Sequence, residues 1–107
     1  MTTSPADAAG LFAALGDEQR LRMVGLLAAE GPRTLSQLAQ GSAISRQGIT
    51  KHLRTLERAG LVSSRRDGRE LHFAIERARL TDAERFLETV SGQWAHALQR
   101  LAKHLSD

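Results

Sequence analysis

From Ser45 to Arg58 the sequence SRQGITKHLRTLER carries Arg46, Gln47, Thr50, Lys51, Arg54 and Arg58 at helical spacing. At about 100° per residue these side chains occupy an arc of roughly 140°, while Ile49, Leu53 and Leu56 cluster within roughly 60° elsewhere. The chemistry available to the first set is recognition of a nucleic acid rather than bond-making. Arg or Lys matches O6 and N7 of guanine, Gln matches N6 and N7 of adenine, and Thr suits a phosphate or a thymine methyl. Residues near the start of such a helix usually reach base edges, and most other hydrogen bonds go to the backbone. Arg46, Gln47 and Thr50 are therefore expected at bases, with Ser45, Lys51 and Arg54 toward phosphates. A plain amphipathic surface helix shows the same pattern, so the neighbouring elements must decide.

The segment that follows supplies a second basic feature. Residues 61–66 and 69–75 read as two strands joined by Asp67-Gly68, a strong hairpin signal, and Leu71, Phe73 and Ile75 alternate toward one face. Arg65, Arg66 and Arg69 stand beside the tip. Arginine there suits the negative potential of a minor groove, and it also keeps an exposed hairpin from pairing with another chain. On the other side, Thr34-Leu-Ser-Gln37 fits a capping box opening a short third helix, and Gly41-Ser42-Ala43 reads as a turn. Ser45 caps the recognition helix, expected over residues 45–59, which Gly60 closes.

Two helices come first: residues 6–15, ended by Gly16 as a left-handed closing residue, and a helix capped by Asp17. The second turns Leu21, Val24, Leu27 and Ala28 inward and stops at Gly31-Pro32. Thr81-Asp-Ala-Glu84 reads as another capping box, opening a last helix over about 81–105. The expected fold is mainly α with a small β-hairpin, in the order α-α-α-α-β-β-α. That is a winged helix-turn-helix, with the wing over 61–75. Residues 1–107 are expected to form a single domain, with about 1–6 as a flexible tail.

Charge is distributed to match. Residues 33–79 hold ten Lys/Arg and four Asp/Glu, a net of +6, and the remaining five and eight leave the flanks at −3. A basic centre between slightly acidic flanks is the footprint of a surface that meets a polyanion. The chain has no cysteine, so disulfides, thiolate metal ligands and thiol redox switches are excluded. It has no apolar run near the roughly 18 residues needed to span a bilayer and no secretory pattern at its start, so a cytoplasmic protein with no membrane partner is expected.

Catalysis finds no footing. There is no nucleophile elbow, phosphate-binding loop, zinc motif or dinucleotide fingerprint, and the expectation is that the protein is not an enzyme and needs no cofactor. Asp82, Glu84 and Glu88 look like first-turn acids favoured by the helix dipole. His96 and His104 lie eight residues apart, about 12 Å along one helix, too far to share an ion. His52 and His72 suit hydrogen bonds to neighbouring structure or phosphate, so no metal site is expected.

Leu87, Val90, Trp94, Leu98, Leu101 and Leu105 advance by three or four along the last helix, a coiled-coil-like stripe. So much apolar area must cover the core, a second subunit, or both. A homodimer interface is expected from Leu87, Val90, Trp94, Leu98 and Leu101, joined by Leu11, Phe12 and Leu15 of the first helix. Two-fold symmetry then sets two recognition helices about one DNA turn apart, on an inverted repeat.

LFAALGDEQRLRMVGLLAAEG, TLSQLAQGSAISRQGITKHLRTLERAGLVSSRRDGRELHF and the Trp-bearing last helix together resemble the ArsR-type family of bacterial winged-helix repressors. The resemblance runs from about residue 8 to 105. It implies a homodimeric, cytoplasmic bacterial protein that occupies promoter DNA until a signal releases it. It also implies that Ser45, Arg46, Gln47, Thr50 and Lys51 read bases and contact phosphates, as the helical wheel does. Many members of that family sense metals through cysteines on the third helix or through Asp, His and Glu on the last. Leu35-Ser-Gln-Leu38-Ala39 stands where those cysteines would lie, and the last-helix ligand spacing is not reproduced, leaving the inducer open. A winged helix used only for protein interaction, and an activator or architectural DNA-binding protein, are the competing readings. The first of these has no use for the Arg46, Lys51, Arg54, Arg65, Arg66 and Arg69 cluster.

Overall fold

The computed structural model describes residues 4–106. Five helices and three strands follow one another as α1 (Pro5–Leu15), α2 (Glu18–Glu30), β1 (Arg33–Thr34), α3 (Leu35–Ala39), α4 (Arg46–Arg58), β2 (Val62–Asp67), β3 (Glu70–Ile75) and α5 (Arg77–Ser106). The result is mostly helical with a small antiparallel sheet, as expected of a winged helix-turn-helix. The sheet nevertheless has three strands rather than two, in the order β1-β3-β2. Thr34 pairs with His72 and Arg33 with Phe73, so the capping residue of α3 also belongs to the wing sheet.

Local chemistry explains most boundaries. Ser4, Asp17, Thr34 and Ser45 accept backbone N–H bonds at the starts of α1, α2, α3 and α4. The Thr34–Gln37 capping box forms in both directions, at 2.9 and 3.1 Å. Part of the tail expected over 1–6 lies outside the described residues; Pro5 and Ala6 already belong to α1. Gly16 ends that helix at φ −79°, not in the left-handed region, so its reason for being glycine is not the one expected. In the wing, Asp67 faces Glu70, which makes Gly68-Arg69 the loop and shifts the turn by one residue. Of these two loop residues only Gly68 has positive φ (63°), the pattern of a II′ turn with glycine at its first central position.

The last helix corrects the expectation most. It begins at Arg77, four residues ahead of Thr81, and the second capping box does not form. The Glu76 carbonyl accepts the N–H of Arg79 and of Leu80, which starts the helix early. Arg79 then anchors it, gripping Asp7 of α1 through two bonds of 2.9 Å and Asp82 at 3.0 Å. Those two carboxylates raise the Arg79 pKa well beyond its ordinary value, and Arg79 in turn lowers that of Asp7.

A single core joins the elements. Leu11, Leu27, Ile49, Leu53, Leu56, Leu61 and Phe73 are its largest fully buried side chains. On α2 the inward residues are Met23, Val24 and Leu27, whereas Leu21, expected inside, is 53% exposed. The helix is rotated so that this face meets α4 and β3. Leu11, expected at a subunit interface, is fully enclosed within its own protomer, so it offers no surface to a partner. Phe12 and Leu15 are only half-buried, and Phe12 stacks on Phe86 of α5 at 5.9 Å between ring centroids.

Candidate nucleic-acid interface

The face expected to pack and the face expected to recognise separate cleanly on α4. Ile49, Leu53 and Leu56 are buried, while Arg46, Gln47, Lys51 and Arg58 are exposed and Thr50 is half-exposed. Ser45 accepts the Gly48 N–H at 3.1 Å, and its own hydroxyl proton remains free to donate. The Thr50 hydroxyl donates back to the Arg46 carbonyl at 2.9 Å, which turns its methyl outward from that bond. α3 precedes α4 through a short connection in which Ile44 N–H is held by Ser42 Oγ at 3.1 Å.

Gly48 has a geometric cause that the sequence left undecided. A Cβ built there meets Ile44 Cγ2 at 2.6 Å and Ser45 Oγ at 3.3 Å. Ile44 packs on the core, and its branched Cβ leaves little room to yield. The glycine lets the chain entering the recognition helix fold tightly back on its first turn, against a helix-propensity cost of about 1 kcal/mol.

Arg54 and Arg46 are both occupied, in different ways. Arg54 Nη1 donates to Glu57 Oε1 at 2.6 Å, and Glu57 also accepts the hydroxyl of Ser64 on β2. These two donors hold the Glu57 carboxyl below the usual carboxylate range, with the Ser64 bond the larger cause. The pair fixes the angle between recognition helix and wing, so the role of Arg54 is at least partly architectural. Arg46 Nη2 donates to Ser36 Oγ of α3 at 3.1 Å, which draws its guanidinium toward α3 and the wing.

In the wing, Arg65, Arg66 and Arg69 are all exposed. Strand alternation separates them. Arg66 faces Leu71 across the hairpin, on the side of the half-buried Leu71 and the buried Phe73, and Arg65 faces His72 on the other side. Arg46, Arg66 and Arg69 border one cleft, so helix and wing present their cations on the same side of the molecule.

Sequence reasoning missed one link. Arg20 of α2 donates to the Ala14 carbonyl at 2.6 Å and approaches His52 Nδ1 of α4 at 3.2 Å, tying the end of α1 to the recognition helix. Only the pairing of a helix-start arginine with a histidine 32 residues away carries that information, and no local pattern reveals it. The expected dimer residues of α5 are placed differently. Leu87, Val90, Trp94, Leu98, Leu101 and Leu105 are all exposed, Trp94 at 66%, along a helix about 45 Å long.

Residues 15–65 match a helix-turn-helix domain family model. Over 96 residues the chain is 31% identical to the probable mercury resistance operon repressor of Streptomyces lividans, covering 90% of this chain and 76% of the relative. The solved structure of an ArsR-like transcriptional regulator from Rhodococcus sp. RHA1 is 36% identical, covers 92% of each chain and superimposes with a TM-score of 0.80. A homodimeric winged helix-turn-helix DNA-binding domain from Mycobacterium bovis shares the fold at a TM-score of 0.65 and 24% identity, over 82% of this chain and 81% of that one.

Proposed function

Because the chain belongs to the ArsR family of transcriptional regulators, as its match over most of their length shows, we propose that it acts as a homodimeric repressor on an inverted-repeat operator. It is a DNA-binding regulator and not an enzyme. The observation that carries the finer reading is the exposed polar face of α4 whose leading residue, Arg46, borders one cleft with Arg66 and Arg69 of the wing. In this reading α4 enters the major groove, with Gln47 and Thr50 at base edges and Ser45 and Lys51 on flanking phosphates. The wing lies along the backbone toward the minor groove with Arg65, Arg66 and Arg69. Arg54 adds charge to this face while bracing Glu57. Repression is the role of the similar Streptomyces protein, a cytoplasmic location suits a regulator that works on DNA, and dimerisation is supported by the exposed apolar stripe of α5.

The chain holds no cysteine, so whatever releases it from DNA does not act through thiolate coordination. The reading is tested by the salt dependence of duplex binding. About eight phosphate contacts per dimer, from Lys51, Arg65, Arg66 and Arg69 of each protomer, imply that log affinity falls with log salt at a slope near −7. A flat response means that the basic face does not meet DNA.

A further inference from the structure

Between α3, the first turn of α4 and the wing tip lies a cleft of about 260 Å³, lined in part by Ser36, Arg46, Arg66, Arg69, Glu70 and Leu71. We propose that this cleft is a seat for one phosphate oxyanion, gripped by Arg46 from the helix side and by Arg66 and Arg69 from the wing. Three guanidinium groups against the single Glu70 carboxylate leave the lining at +2. Arg66 and Arg69 enter no ion pair among the described residues, so their forks are available. Arg46 is already oriented. Its bond to Ser36 uses one of five N–H donors and holds the guanidinium beside α3 at the edge of the cleft.

An arginine fork matches a phosphate through two parallel bonds, and the apolar side chain of Leu71 keeps part of the wall dry, which strengthens charge pairing. Ser36 is thus a positioning residue. Arg46 moves from the base-reading set to the phosphate-binding set, leaving base choice to Gln47 and Thr50. Two sources offer the ligand: a phosphodiester of the DNA strand lying between helix and wing, or a free phosphate group that blocks that strand. The first rests on the DNA reading above; the second stands without it.

Two arms separate them. In the first, duplexes carry one neutral methylphosphonate at a time. The expected result is one position per half-site where wild-type affinity falls about tenfold or more, while Arg66→Gln, already weakened, loses nothing further there. In the second, inorganic phosphate is titrated into DNA-free protein and followed by amide NMR, with potassium chloride at matched ionic strength as control. Saturable shifts at Ser36, Arg46 and Arg69 that vanish in Arg66→Gln and weaken severalfold in Ser36→Ala identify a free phosphate. A response in either arm supports the seat and names its occupant; no response in both overturns it. Should the protein bind no duplex at all, the DNA reading fails while the phosphate titration still decides the seat.

Discussion

Replacing Trp94 by glutamate is expected to give a monomer that binds an inverted-repeat duplex at least about a hundredfold more weakly than the wild type, because joint engagement of two half-sites is lost. The cause lies in the shape of α5. Its first turns are held by Arg79, Ala83 and Phe86, but from Leu87 onward nearly every side chain is exposed. The molecule is accordingly 68 Å long and only 30 × 23 Å across. An isolated helix bearing Trp94, Leu98, Leu101 and Leu105 on one stripe is marginal in water, since helices draw most of their stability from a covered apolar face. Covering the exposed two thirds of Trp94 removes roughly 130 Å² from water, about 3 kcal/mol per copy. A carboxylate at that place forfeits the gain and must be desolvated. Light scattering reads the mass and fluorescence anisotropy the affinity; a dimer of undiminished affinity moves the interface off α5.

Phe73→Ala is expected to cost about 3–5 kcal/mol, close to the whole stability of many domains of this size. Phe73 is fully buried at the centre of the sheet, with Arg33 of β1 opposite it on one side and Ser64 of β2 on the other. It therefore joins the wing to the helices that carry α4. Removing the ring leaves a cavity between elements that cannot close together, and duplex binding goes with the fold. At fixed protein concentration the melting temperature should drop by about 15–25 °C. A drop of less than five degrees shows that the wing is not held through this residue.

What the sequence revealed and what it hid differ in range. The two faces of α4, the Thr34–Gln37 box and the alternation of Leu71, Phe73 and Ile75 are local patterns, and each formed as its spacing dictated. The second strand pair was illegible because Arg33 and Thr34 are too few to show a period, and only the edge of β3 makes them a strand. Thr81 carried a sound capping signal, yet the Glu76 carbonyl and the Arg79–Asp7 pair, 72 residues apart in sequence, extended the helix past it. Leu21 lies outside and Met23 inside because the packing of α2 on α4 and β3 sets its rotation, and Leu11 was claimed by the core. For the interface, residue types showed which side chains suit DNA. Only tertiary contact showed that Ser36 turns Arg46 toward the wing and that Ser64 of β2 holds Glu57, the neighbour of Arg54 one turn along α4.

In the proposed dimer, two copies of α4 read one duplex in a two-fold arrangement. Selection of bound sequences from a pool of random duplex DNA tests it directly. The expected result is enrichment of an inverted repeat whose half-sites lie about 10–10.5 base pairs apart, centre to centre. Enrichment of a single unrepeated motif, or of none, contradicts it.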